Sequence, residues 1–142
     1  GRPWPVLDAQ IMVRSTAAHP RRDAHQDVRT RHRPIDMAHL ARQTLGDQGL
    51  EQEVLRLFDD STRAYFRRLE HSTPVEELLR HLHTLKGAAA GVGARAIADL
   101  AASTEAELRD GQPVNPERID DLGMAIAECS AFIEELLGTS DE

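Results

Sequence analysis

Between Val75 and Val92, apolar residues recur at Val75, Leu78, Leu82, Leu85, Ala89 and Val92, at spacings of 3, 4, 3, 4 and 3. That rhythm marks a narrow apolar seam along one side of an α-helix. It returns at Ile119, Leu122, Ile126, Cys129, Ile133 and Leu136. A looser series, Leu50, Val54, Leu57, Phe58, Ala64, Tyr65 and Leu69, predicts a long helix over 49–70. Ile97, Leu100, Ala101, Thr104 and Leu108 predict another from about Ala94 to Asp110. A short helix is expected over Ile35–Leu45, with Ile35, Ala38 and Leu45 inward and Leu40 or Ala41 as a further inward candidate.

Turn and capping residues divide these runs. Gly46 and Gly49 break the first short helix from the second. Thr73 reads as an N-cap, with Pro74 in the first helical position and Glu76 completing a capping box. Gly91 and Gly93 are expected to end that helix, and Gly111 to stop the next. Asn115-Pro116 should cap the last helix and Gly138 close it, leaving 139–142 as a tail. Short turns make successive helices antiparallel. The expected fold is therefore all-α: an up-down-up-down four-helix bundle over 35–138, with the short N-terminal helix covering one end.

Residues 1–34 have no such rhythm. They hold Pro3, Pro5, Pro20 and Pro34 among scattered Arg and His, and read as a largely irregular leader. Within it Pro5–Ser15 could form a short helix or strand, and no apolar stretch has the length of a secretory signal. The chain of 142 residues starts at Gly1, as expected of a piece of something longer.

Composition sharpens the picture in three ways. Apolar residues make up 40% but aromatics only 4%, so the core must be aliphatic. The net charge of -7 is uneven: residues 1–35 carry seven arginines against three aspartates, a net of +4, which leaves -11 for the rest. An acidic body does not suit nucleic acid, and no apolar run is long enough for a membrane. Cys129 is the one cysteine. It permits no internal disulfide, lies on a seam where packing is its expected role, and fits a reducing, cytoplasmic setting.

The chemistry concentrates in His83-Thr84-Leu85-Lys86-Gly87-Ala88-Ala89-Ala90-Gly91-Val92-Gly93. On a helix Lys86, Gly87 and Ala90 share a face with His83. The seam runs through Leu82 and Leu85, so His83 lies beside it and turns toward solvent. Gly87 costs its helix about 1 kcal/mol relative to alanine. Close approach of a phosphate or a partner would explain it. A neutral imidazole has a lone pair that can attack phosphorus near neutral pH, and Lys86 can pair with phosphoryl oxygens as a point charge. Taken singly, each residue could be ordinary helix surface; together they point to a phosphate site open to another protein.

The motif His83-x-Leu85-Lys86-Gly87-x-x-x-x-x-Gly93 resembles the signature of histidine-containing phosphotransfer (HPt) domains of multistep phosphorelays. The resemblance implies that His83 accepts a phosphoryl group from a receiver-domain aspartate and passes it to another. It implies that Lys86 stabilises phosphohistidine, and that Gly87, with Ala90, Gly91 and Gly93, leaves room for the receiver. Receiver domains of response regulators and of a hybrid histidine kinase would be its partners, the chain a monomer, and no cofactor would be needed. In an antiparallel hairpin turning near Gly93, Glu105 stands almost level with His83. It could accept the imidazole N–H and present the other nitrogen as the nucleophile. Some family members carry a glutamine near there. Arg109, one turn on, could be a second cation.

Other chemistries fit less well. His81 and His83 point about 200° apart on a helix and cannot grip one ion, so no metal site is expected. There is no glycine-rich nucleotide loop, so the chain should be a phosphocarrier without its own ATP site. Ser61, Ser72, Ser103 and Ser130 lack a nucleophile-elbow setting. The alternative from a different class is a helical adaptor that docks receivers without transferring.

Overall fold

The computed structural model describes residues 33–141, with side chains through 138. The expected leader, apart from its last two residues, and its Pro5–Ser15 element lie outside the described residues. Five helices and no strand occur among the described residues: α1 (Met37–Gln43), α2 (Gln48–His71), α3 (Val75–Val92), α4 (Arg95–Arg109) and α5 (Pro116–Asp141). None is long and apolar enough to cross a membrane.

Helix α3 packs against α2 and α4, and α5 packs against the same two, so the four long helices close a ring. The two regular seams meet inside it. Leu78, Leu82, Leu85, Ala89 and Val92 of α3 are buried, as are Leu122, Ile126, Cys129 and Ile133 of α5. Ile97, Ala101, Thr104 and Leu108 of α4 complete that side. Burial pushes the Cys129 thiol up to about 12, with the charge of Asp59 adding to the effect, so the thiol is inert packing. Gly123 lets α5 come close to α2: a Cβ there would stand 2.9 Å from Cζ of Phe66.

Helix α1 covers the α3–α4 turn. Asp36 caps it, its side chain accepting from His39 N at 3.0 Å, and the Asp36 N–H donates to the carbonyl of Gly93 at 2.9 Å. Ile35 and Leu40 point inward. Ala38 and Leu45, expected inward, do not. Ala38 is exposed, and Leu45 is 90% exposed at φ 55. The helix has ended by Thr44, and the chain reverses through Leu45 and Gly46 in left-handed conformation.

Four other expectations need correction. Gly49 lies within the first turn of α2, which Asp47 caps; a glycine there breaks nothing, since first-turn N–H groups lack helical partners anyway. Leu50 and Leu57 face solvent, 46% and 60% exposed. The stripe facing inward is Leu55, Phe58, Thr62 and Leu69, with Asp59 beside it. Thr62 sits there at little cost because its hydroxyl donates to the Phe58 carbonyl at 2.8 Å. At the start of α3 no capping box forms. Pro74 is the N-cap, no side chain caps the first turn, and Val75 is half exposed. Finally, Gly91 lies within α3, which ends at Gly93, and α5 runs past Gly138 to Asp141. Neither Gly91 nor Gly138 has the positive φ that ends a helix. Gly93 and Gly111 do, at φ 83 and φ 85, and both stop their helices. Asn115 also does as expected, accepting from Glu117 N at 2.9 Å.

Candidate functional site

His83 projects from the middle of α3 beside Leu82 and Leu85, its side chain 68% exposed. The face around it is bare. A Cβ added at Gly87 or Gly91 would meet nothing within 4 Å, and Ala90 is exposed. A broad partner could therefore approach the backbone on this side. His81, two residues back, turns away and packs its ring at a tilt of 55° against Tyr65 of α2, the centroids 5.9 Å apart, so the two histidines diverge.

The α3–α4 hairpin brings Glu105 level with His83. Glu105 Oε2 stands 3.4 Å from His83 Nδ1, and Oε1 accepts from Lys86 Nζ at 2.8 Å. Arg109, one turn along α4, donates to Oε2 at 2.8 Å. The Glu105 side chain is only 5% exposed, while those of Lys86 and Arg109 are 36% and 60% exposed. One buried carboxylate thus gathers three basic groups from two helices. Burial works to raise its pKa, but hydrogen bonds from Lys86 and Arg109, together with their charges, outweigh it and hold it at about 2. The carboxylate is ionised at any physiological pH.

With Nδ1 against a permanent anion, the ring's proton belongs on Nδ1, and Nε2 keeps its lone pair toward solvent. The arrangement offers an exposed nitrogen nucleophile with Lys86 one helical turn along α3 and Arg109 of α4 paired to the same carboxylate. That is the equipment for taking a phosphoryl group onto Nε2.

The Hpt domain family matches residues 53–138. The chain belongs to the Hpt family. No curated protein matches it. Among solved structures it is similar to a histidine-containing phosphotransfer protein from rice, with a TM-score of 0.51 and 21% identity over 74% of this chain and 75% of that one. The likeness is one of fold. As an Hpt domain the chain has a part in phosphotransfer within phosphorelays.

Of the residues named from sequence, the structure brings His83, Lys86, Glu105 and Arg109 together, and places Gly87, Ala90 and Gly91 on the exposed surface around them. Gly93 stands apart. It is buried, and a Cβ there would press on Asp36 at 3.0–3.3 Å, so its glycine serves the turn and the seating of α1. Sequence reasoning missed two things. Lys86 does not wait alone for an anion, because Glu105 already holds it. And His39 of α1 places Nε2 3.2 Å from the Gly91 carbonyl, tying α1 to the edge of the exposed face. The spacing Asp36-x-x-His39 signals a helix start, but nothing in it signals Gly91.

Proposed function

We propose that His83 is a relay point: its Nε2 takes a phosphoryl group from the aspartyl phosphate of one receiver domain and delivers it to the aspartate of another. The Nε2 lone pair forms the N–P bond as the P–O bond to the donor carboxylate breaks, its electron pair leaving with the carboxylate. The observation that carries this reading is the contact of His83 Nδ1 with buried Glu105 while the rest of the ring stays exposed. Lys86 and Arg109 would offset charge on the phosphoryl oxygens, and the surface of Gly87, Ala90 and Gly91 would receive the partner.

In this role the chain needs no ATP site and no cofactor. It works as a monomer in the cytoplasm, with receivers of response regulators and of a hybrid histidine kinase as its partners. Incubation with a phosphorylated receiver should place acid-labile, base-stable label on the wild-type chain and none on His83→Gln. Label surviving in that variant would sink the assignment of His83. Receiver binding with no label on the wild type would make the protein an adaptor.

A further inference from the structure

Glu105 has three basic partners in the unmodified protein, and a phosphoryl group on His83 would want the same ones. Lys86 and Arg109 bring two positive charges and Glu105 one negative. A phosphoryl dianion on Nε2 adds two more negative charges within reach of the same cations. Glu105 cannot leave, since its side chain is 5% exposed, whereas Lys86 and Arg109 are exposed enough to swing on long stems. Among the described residues, Glu105 has no ion-pair partner beyond His83, Lys86 and Arg109. Arg80 and Glu76 stand one and two turns before His83 on α3, and Glu107 of α4 is taken by Arg118 of α5 at 2.6 Å.

The Nδ1 contact matters as much. Phosphorylation of Nε2 leaves the ring positively charged while Nδ1 keeps its proton. In that form the N–P bond breaks to release neutral imidazole. Without the proton the leaving group would be an imidazolide anion, which is far poorer. A carboxylate 3.4 Å from Nδ1 favours the protonated ring.

Building on the phosphocarrier reading, we propose that Glu105 is a resident anion of the site that keeps phosphohistidine ready to give its group up. It occupies Lys86 and Arg109 before transfer. After transfer it holds the Nδ1 proton on the ring and competes with the phosphoryl group for both cations. Glu105 is a positioning residue here; it forms no bond to phosphorus.

The test needs no receiver. The full chain and its Glu105→Gln variant are phosphorylated with potassium phosphoramidate, and loss of the group is followed by intact mass from pH 5 to 9. In Glu105→Gln both effects disappear, so the phosphohistidine should last about tenfold longer at neutral pH, the change carried by one pKa unit of interaction. Its pH profile should move to lower pH by a similar margin. A purely structural role would not move that profile. Lys86→Met/Glu105→Gln, which removes one charge of each sign, should keep the shifted profile with a lifetime between the two, and it guards against misfolding of the single variant. Normal phosphorylation with an unshifted profile, or a shorter lifetime in Glu105→Gln, overturns this inference alone. A wild-type chain that takes no phosphoryl group at all overturns it together with the phosphocarrier reading.

Discussion

Helices α3 and α5 carry the same apolar rhythm and do different work. Both send a seam into the bundle interior, and both have a glycine inside the helix. The seams are nearly interchangeable in character; the glycines are not. Gly123 of α5 is where the Phe66 ring packs, 2.9 Å from where a Cβ would stand, while Gly87 of α3 has open space above it. One glycine serves the inside of the protein and the other its outside. Helix α4 repeats the contrast with its carboxylates. It turns Glu105, 5% exposed, toward α3, and Glu107, 23% exposed, toward Arg118 of α5. The α3 side buries a carboxylate among three basic groups. The α5 side has an ordinary ion pair. The seam tells which face is core; what lies beside the seam tells what the helix is for.

The carboxylates offer the strongest way to break this contrast. The folded pKa of Glu105 is depressed from 4.5 to about 2. Its contribution to stability is therefore fully present above about pH 4.5 and is lost as pH falls toward 2. The shift corresponds to about 3 kcal/mol at most. Acid titration of the unfolding midpoint should show this slope in the wild type and lose it in Glu105→Gln. Glu107→Gln should keep the slope and cost less than about 1 kcal/mol at neutral pH, since its pair lies nearer solvent. Equal slopes in all three proteins would make the two carboxylates equivalent.

The glycines come next. Gly123→Leu forces a branched side chain onto Phe66 and should cost about 2 kcal/mol, read as a lowered midpoint in urea. Gly87→Leu meets nothing and replaces a poor helix former, so it should be neutral or gain up to about 1 kcal/mol. It should nonetheless weaken receiver binding by bulk alone. If Gly87→Leu proved as destabilising as Gly123→Leu, the exposed glycine would be a packing device after all.

The bundle was legible in the sequence because seams at 3 and 4 spacing survive in one-dimensional form, and the α3 and α5 seams face the core as their spacing predicts, apart from the half-exposed Val75. Helix α2 was harder. Its inward stripe includes Thr62 and Asp59, which hydropathy counts as outside, so apolar spacing points to Leu50 and Leu57 instead. Left-handed turns were legible only where a glycine marked them; Leu45 at φ 55 carries no such mark. Of the site, His83, Lys86 and Gly87 could be read along one helix. Glu105 and Arg109 needed the hairpin as well, and level spacing about Gly93 found them. Their burial and mutual pairing could not be read, because those depend on how closely α3 and α4 approach and on how side chains bend toward one another. The link between His39 and Gly91 spans 52 positions and leaves no periodic trace.

The starts of α3 and α5 give the smallest and sharpest comparison. Thr73-Pro74-Val75-Glu76 has the form of a capping box, yet Pro74 is the N-cap of α3 and no side chain caps that helix. Helix α5 begins after Asn115, whose Oδ1 accepts from Glu117 N at 2.9 Å. A capping side chain contributes about 1 kcal/mol. Asn115→Ala should therefore lower stability by about that much in urea unfolding, and Thr73→Ala by less than about 0.5 kcal/mol, the scale of an ordinary surface change. A cost at Thr73 equal to that at Asn115 would mean that the box forms in solution and that α3 starts one residue earlier than Val75. His83 would keep its place either way, since the seam of Leu78, Leu82 and Leu85 holds it there independently of the first turn.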